Sequence, residues 1–178
     1  GGIVKDAHLP AYQKAEFKVL GVYDINPEQS EKIANSWNLK AFGSLDSLIS
    51  SAQSQNAVFD LALPPSAISN VLEQLPEHAT VLIQKPMGSD LEEAKLIKAI
   101  CERKKLTAAV NFQLRFSPMM LALKDAISKG HLERILDLEV HLNLEASWEL
   151  FPFLKKMERV EIAAVSYTHL RAHETNVD

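Results

Sequence analysis

Three observations predict an α/β chain built on a parallel sheet. Short apolar runs at 17–23, 57–63, 79–84 and 107–110 alternate with amphipathic stretches of helical length, which is the pattern of βαβ units. The runs hold few polar residues, as strands do when helices cover both faces of the sheet. Two of them close on a single charged residue, Asp24 and Lys85, and open parallel sheets meet ligands outside the carboxyl ends of their strands.

Composition narrows the function before any motif does. The 178 residues are 47% hydrophobic with a net charge of −4, enough for one good core and part of a second. Mild acidity offers no basic patch for nucleic acid, and no run reaches the roughly 18 apolar residues that span a bilayer. Neither partner is expected. A lone cysteine, Cys101, forms no internal disulfide and no cysteine zinc site; no metal is expected, and a reducing cytoplasm suits the chain. The sequence opens at Gly1-Gly2-Ile3-Val4 without a methionine, so the expectation is a cut N-terminus with the preceding strand missing.

Residues 1–13 read as a glycine turn entering a helix, and Phe17 to Tyr23 as a strand ending at Asp24. Gly2 to Asp24 spans about the 20 residues that separate the phosphate turn from the ribose-binding acid of a dinucleotide fold. Asn26 as N-cap, Pro27 at the first helical position and Gln29 completing a capping box predict a helix to about Trp37. Lys40 to Phe42 is a short strand, and Ser44 to Ser51 a short helix with Leu45, Leu48 and Ile49 on one face. Ala57 to Leu63 is a strand stopped by Pro64-Pro65, with a helix from Ser66 to Leu75. Ala79 to Gln84 is the strand that delivers Lys85. Ser89 to Glu92 forms a capping box for a helix reaching about Lys104, with Leu91, Ala94, Ile97 and Cys101 on its apolar side. Thr107 to Val110 is one more buried strand.

The texture then changes. Pro118 to Lys129 is a helix ended by Gly130, and Ile135 to Glu145 alternates apolar with polar residues, the mark of a sheet with one wet face. A domain boundary therefore falls near Asn111 to Phe116, giving a ligand-binding domain over 1–111 and the start of a second domain over 112–164. Residues 165–178 have neither period; Val165 to Thr175 resembles the in-frame translation of a DNA-library sequencing adapter. The alternative is a polar tail. On the adapter reading His169 and His173 carry no function.

Gly1-Gly2-Ile3-Val4, His8-Leu9-Pro10-Ala11, Asp24, Pro64-Pro65, Gln84-Lys85-Pro86 and Asn111 to Pro118, in this order and spacing, resemble the Gfo/Idh/MocA family of NAD(P)-dependent oxidoreductases. The resemblance covers residues 1 to about 164. It implies a Rossmann-type parallel sheet with helices on both faces, followed by a mostly antiparallel α/β C-terminal domain, incomplete here. It also implies a small-molecule substrate and a homo-oligomeric parent.

Residue by residue, Gly1, Gly2, Ile3 and Val4 would hold the pyrophosphate at a helix N-terminus, where free N–H groups and the helix dipole favour an anion. Asp24 would accept from the ribose hydroxyls, and Ile25 beside it offers no cation for a 2′-phosphate, so NAD is expected over NADP. The other reading of Asp24 is a helix cap. Leu63, Pro64 and Pro65 would form the floor of the nicotinamide end, or simply stop a strand. A histidine that the family often carries after this turn has Ile68 near its place.

Lys85 corresponds to the lysine of the family's Glu-Lys-Pro motif, which contacts substrate and handles a proton beside the nicotinamide. Its plain alternative is a solvated strand-end lysine. Gln84 stands where the family has glutamate, removing a charge that would hold the ammonium. Asn111 and Arg115 are substrate-side candidates; Arg115 could equally form an interdomain ion pair. His141 reads as a surface residue, and Trp148, Phe151 and Phe153 as core or dimer contacts. The implied function is hydride transfer between a nicotinamide and a secondary alcohol of a sugar or cyclitol, with further acid–base residues downstream and this fragment inactive. The alternative is a non-catalytic dinucleotide-binding or sensing module.

Overall fold

The computed structural model describes residues 2–132, 134–137 and 139. The chain divides into two compact units, Gly1–Val110 and Asn111–Asp178.

In the first unit a π-helical turn, Val4–His8, runs without a break into α1, Leu9–Lys14. Next comes α2, Pro27–Trp37, with the predicted bounds. Extended Asn26 accepts the Glu28 N–H at 3.1 Å, Pro27 fills a position whose N–H has no helical partner, and Asn38 ends the helix in the left-handed region. A Ser44 cap starts α3, Leu45–Gln53. Then follow β1 (Val58–Leu61), α4 (Pro65–Gln74), β2 (Thr80–Gln84), α5 (Leu91–Arg103) and β3 (Thr107–Asn111).

The three strands form one sheet in the order β1-β2-β3. β1 and β2 are parallel, with Phe59 opposite Val81 and Leu61 opposite Ile83. Those four side chains share a sheet face. They pack with Ile49 and Ala52 of α3, Ile68 and Leu72 of α4, and Ile97 and Ile100 of α5 into one core. Burying that set supplies the main favourable term in folding this unit.

Several expectations change on contact with the structure. The 17–23 run is not a sheet strand; it makes one parallel bridge, Val22 to Ala41, flanked by two 2.9 Å backbone hydrogen bonds. A β-carbon on Gly21 would run into the Lys40 carbonyl oxygen and the Phe42 ring, so this approach requires glycine. β3 is not buried: Thr107, Ala108 and Ala109 are exposed. It ends the sheet and contributes nothing to the core cluster. Burial along β1 and β2 is uneven: Val58 and Thr80 are exposed, Phe59, Leu61, Val81 and Ile83 are buried on one face, and on the other face Asp60 and Leu82 are partly buried and Gln84 is buried. The cap of α5 lies one residue later than expected. Asp90 accepts the Glu93 N–H at 2.8 Å while Glu93 accepts the Ser89 N–H at 2.6 Å.

The second unit contains a 3₁₀ turn, Gln113–Phe116, and α6, Pro118–Ser128, capped by Ser117 and followed by Gly130 at φ +71°. Residues 135–137 of the alternating stretch carry no strand. The rest of that stretch apart from Glu139, with His141, Trp148, Phe151, Phe153 and the 165–178 tail, lies outside the described residues.

Candidate functional site

The strongest grouping sits at the carboxyl edge of β1 and β2. Because Leu61 is opposite Ile83 in a parallel pair, both chains leave the sheet side by side. Leu63-Pro64-Pro65 emerges from one strand and Gln84-Lys85-Pro86 from the other. Pro64 stands at the cap of α4 and buried Pro65 at its first position, with the Ala67 N–H donating to the Pro64 carbonyl at 3.0 Å. Two fixed φ angles make this a stiff turn. Leu63 packs against the core beneath.

Gln84 is 8% exposed, and its Oε1 has no hydrogen-bond partner among the described residues. A buried amide oxygen without a donor is costly in an apolar setting and accounts for itself when a ligand N–H or O–H comes to it. Lys85 is half-buried, and the desolvation pushes its ammonium below the ordinary lysine range. The Lys85–Pro86 peptide is cis.

At the other end of the expected site, Gly2 and Ile3 are helical, not a turn, and continue into the π-helical segment that holds Val4. Gly1 lies outside the described residues. A β-carbon on Gly2 would meet only Asp6 Oδ2, at an ordinary 3.7 Å. The chain's own packing therefore does not demand glycine there. Asp24 is half-buried just beyond the Val22 bridge, and its Oδ1 accepts the Asn26 N–H at 2.9 Å. Ile25 is 90% exposed. Asn111 closes β3, and Arg115 is exposed in the 3₁₀ turn of the second unit.

One cluster escaped the sequence reading. Asp60, in the middle of the apolar β1 run, accepts at Oδ2 from the Tyr12 hydroxyl at 2.8 Å and pairs there with His8 Nδ1 at 2.6 Å. Burial first, then the Asp60 hydrogen bond and charge, push the Tyr12 phenol well above its usual range. A carboxylate inside a strand-length apolar run, with His8 and Tyr12 spaced by four, is the signal that was available.

Residues 1–112 match the model of an oxidoreductase family with an NAD-binding Rossmann fold. The chain belongs to the Gfo/Idh/MocA oxidoreductase family. Among its relatives, glucose-6-phosphate 3-dehydrogenase of Bacillus subtilis is 31% identical over 144 residues, 79% of this chain and 39% of that protein. UDP-N-acetylglucosamine 3-dehydrogenase of Acidithiobacillus ferrooxidans, as a solved structure, superposes with a TM-score of 0.58 at 27% identity, covering 67% of this chain and 38% of that one. The WlbA dehydrogenase of Bordetella pertussis, solved with NADH and UDP-GlcNAcA, shares the fold with a TM-score of 0.62 at 22% identity, over 76% of this chain and 39% of that one. The chain thus spans about two-fifths of the length of the curated relatives it matches.

The residues present fit the family's NAD. The parallel carboxyl edge, the stiff proline turn and the orphaned Gln84 oxygen suit the nicotinamide end, and Asp24 beside exposed Ile25 suits an unphosphorylated ribose. NAD held there would supply the hydride acceptor. Among the described residues, no helix is long and apolar enough to cross a membrane.

Proposed function

We propose that the protein to which this chain belongs is an NAD-dependent dehydrogenase acting on a secondary alcohol of a sugar or cyclitol, with Lys85 the acid–base residue of this chain. The observation that carries the reading is the shared carboxyl edge, where a parallel register sets the proline turn beside a half-buried lysine. Leu63, Pro64 and Pro65 bound the nicotinamide ring on one side. Lys85, which burial disposes to lose its proton, would as the neutral amine take the hydroxyl proton while the carbinol carbon gives its hydride to the nicotinamide. Gln84 offers its buried amide oxygen to the same region without adding charge. Asp24 receives the adenosine ribose hydroxyls, and the N–H groups at Gly2, Ile3 and Val4 face the pyrophosphate. Asn111 and Arg115 are assigned to the substrate.

Two relatives named as sugar 3-dehydrogenases, one of a sugar phosphate and one of a nucleotide sugar, support a phosphorylated or nucleotide-linked sugar over a free polyol. The test is NADH titration by fluorescence of protein expressed from the full reading frame of the source gene, with turnover on a panel of sugar phosphates, nucleotide sugars and inositols. Lys85→Ala should keep NADH affinity within about threefold and lose about a hundredfold or more in kcat. Failure to bind either NADH or NADPH would overturn the reading. Binding without turnover on any substrate, by a frame that lacks further acid–base residues, would favour a dinucleotide sensor.

A further inference from the structure

The His8–Asp60–Tyr12 cluster joins parts of the chain 52 and 48 residues apart. His8 and Tyr12 lie four apart on one helical face, their rings 6.2 Å between centroids, so one carboxylate oxygen grips two successive turns. His8 is 7% exposed. The π-helical turn ends on His8, the residue gripped. Such wide turns are rare and tend to persist where function requires them. Asp60 also sits three residues before Leu63 on the strand that becomes the proline turn. One side chain thus ties the helix that opens at Gly2 to the strand that forms the nicotinamide floor.

Packing alone does not explain the arrangement. Both donors fall on Oδ2, and buried Oδ1 has no partner among the described residues. An aliphatic residue would fill a β1 position without that penalty. A partly buried, hydrogen-bonded cluster of this kind fixes one geometry among its members.

We propose that Asp60 is a positioning residue for the dinucleotide: through His8 and Tyr12 it fixes the N-terminal helix at the distance from β1 that one pyrophosphate spans. The proposal rests on the NAD-binding reading above. It separates from a merely structural role because it predicts a local loss. The adenosine end, held at Asp24, should be indifferent to Asp60; the diphosphate end should not.

AMP and ADP are titrated into the full chain and followed by NMR, for wild type, Asp60→Ala, Asp60→Asn and Tyr12→Phe. In wild type ADP should bind more tightly than AMP. Asp60→Ala should reduce that advantage by about tenfold or more while AMP affinity stays within about twofold, the scale of effect expected from a small misplacement of a binding group. Asp60→Asn, which keeps an oxygen for both donors, should retain most of the advantage, and Tyr12→Phe should lose part of it. An ADP advantage unchanged in Asp60→Ala overturns the proposal, as does equal loss of AMP and ADP. Should Asp60→Ala not fold, Tyr12→Phe decides by the same comparison. A wild-type chain that binds neither nucleotide overturns the NAD-binding reading itself, and this proposal with it.

Discussion

Lys85 shows how much a single residue can reveal from sequence. A lone cation closing a β-branched run, followed by proline and glycine, is conspicuous because every feature that marks it is local. Burial then lowers its proton affinity. Between the lowered folded value and the ordinary lysine value of 10.5 the unfolded chain holds the proton more often, so stability rises with pH across that window. Below the window the desolvation penalty is fully present. Pulse acetylation across a pH series, read by mass spectrometry, should therefore give Lys85 a lower midpoint in the folded chain than in urea; equal midpoints would remove the basis for its acid–base role. Asp60 is the contrasting residue. It was visible as an acid in an apolar run, but its partners lie some fifty residues away in sequence, and no local pattern points to them.

At the scale of the element, helix starts were legible and strand burial was not. Caps are made within four residues, so Asn26 and Ser117 begin α2 and α6 where their sequences indicate. Burial depends on what packs over a strand, and β3 reads as core yet lies exposed at the end of the sheet. The α5 cap refines the rule. Ser89 contributes its backbone N–H to Glu93, whereas Asp90 contributes its side chain to the Glu93 N–H. Asp90→Ala should then cost about 1 kcal/mol and Ser89→Ala much less, measured by urea denaturation; a larger loss at Ser89 would restore the earlier register. Gly88 precedes this cap at φ +90°, and a β-carbon there would lie 2.9 Å from the Ala94 nitrogen. Gly88→Ala should cost more than 1 kcal/mol from strain at that backbone alone.

For the whole molecule, fold class was legible because the alternation of strand-length and helix-length apolar patterns survives ignorance of every contact. What the pattern could not supply is which faces are covered. All the large side chains buried most completely, Ile68, Leu72, Leu75, Ile83, Ile97 and Val81, belong to α4, α5, β2 and the segment joining α4 to β2. These side chains belong to the cluster packed on the Phe59, Leu61, Val81 and Ile83 face. Ile97→Ala, at full burial, should cost about 2–5 kcal/mol. The opposite consequence concerns association. β1 ends the sheet order, so among the described strands it pairs only with β2, and Val58 on it is 62% exposed. An apolar residue on an end strand is a template for pairing with another chain, and a charge there opposes it. If the chain associates through this edge, wild type should exceed monomer mass in light scattering after size exclusion and Val58→Lys should lower that mass, with urea stability within about 0.5 kcal/mol of wild type, as expected for an exposed position. A wild-type mass above monomer that Val58→Lys leaves unchanged would place association on another surface, and the exposed Met119 and Leu121 of α6 become the next substitutions to make.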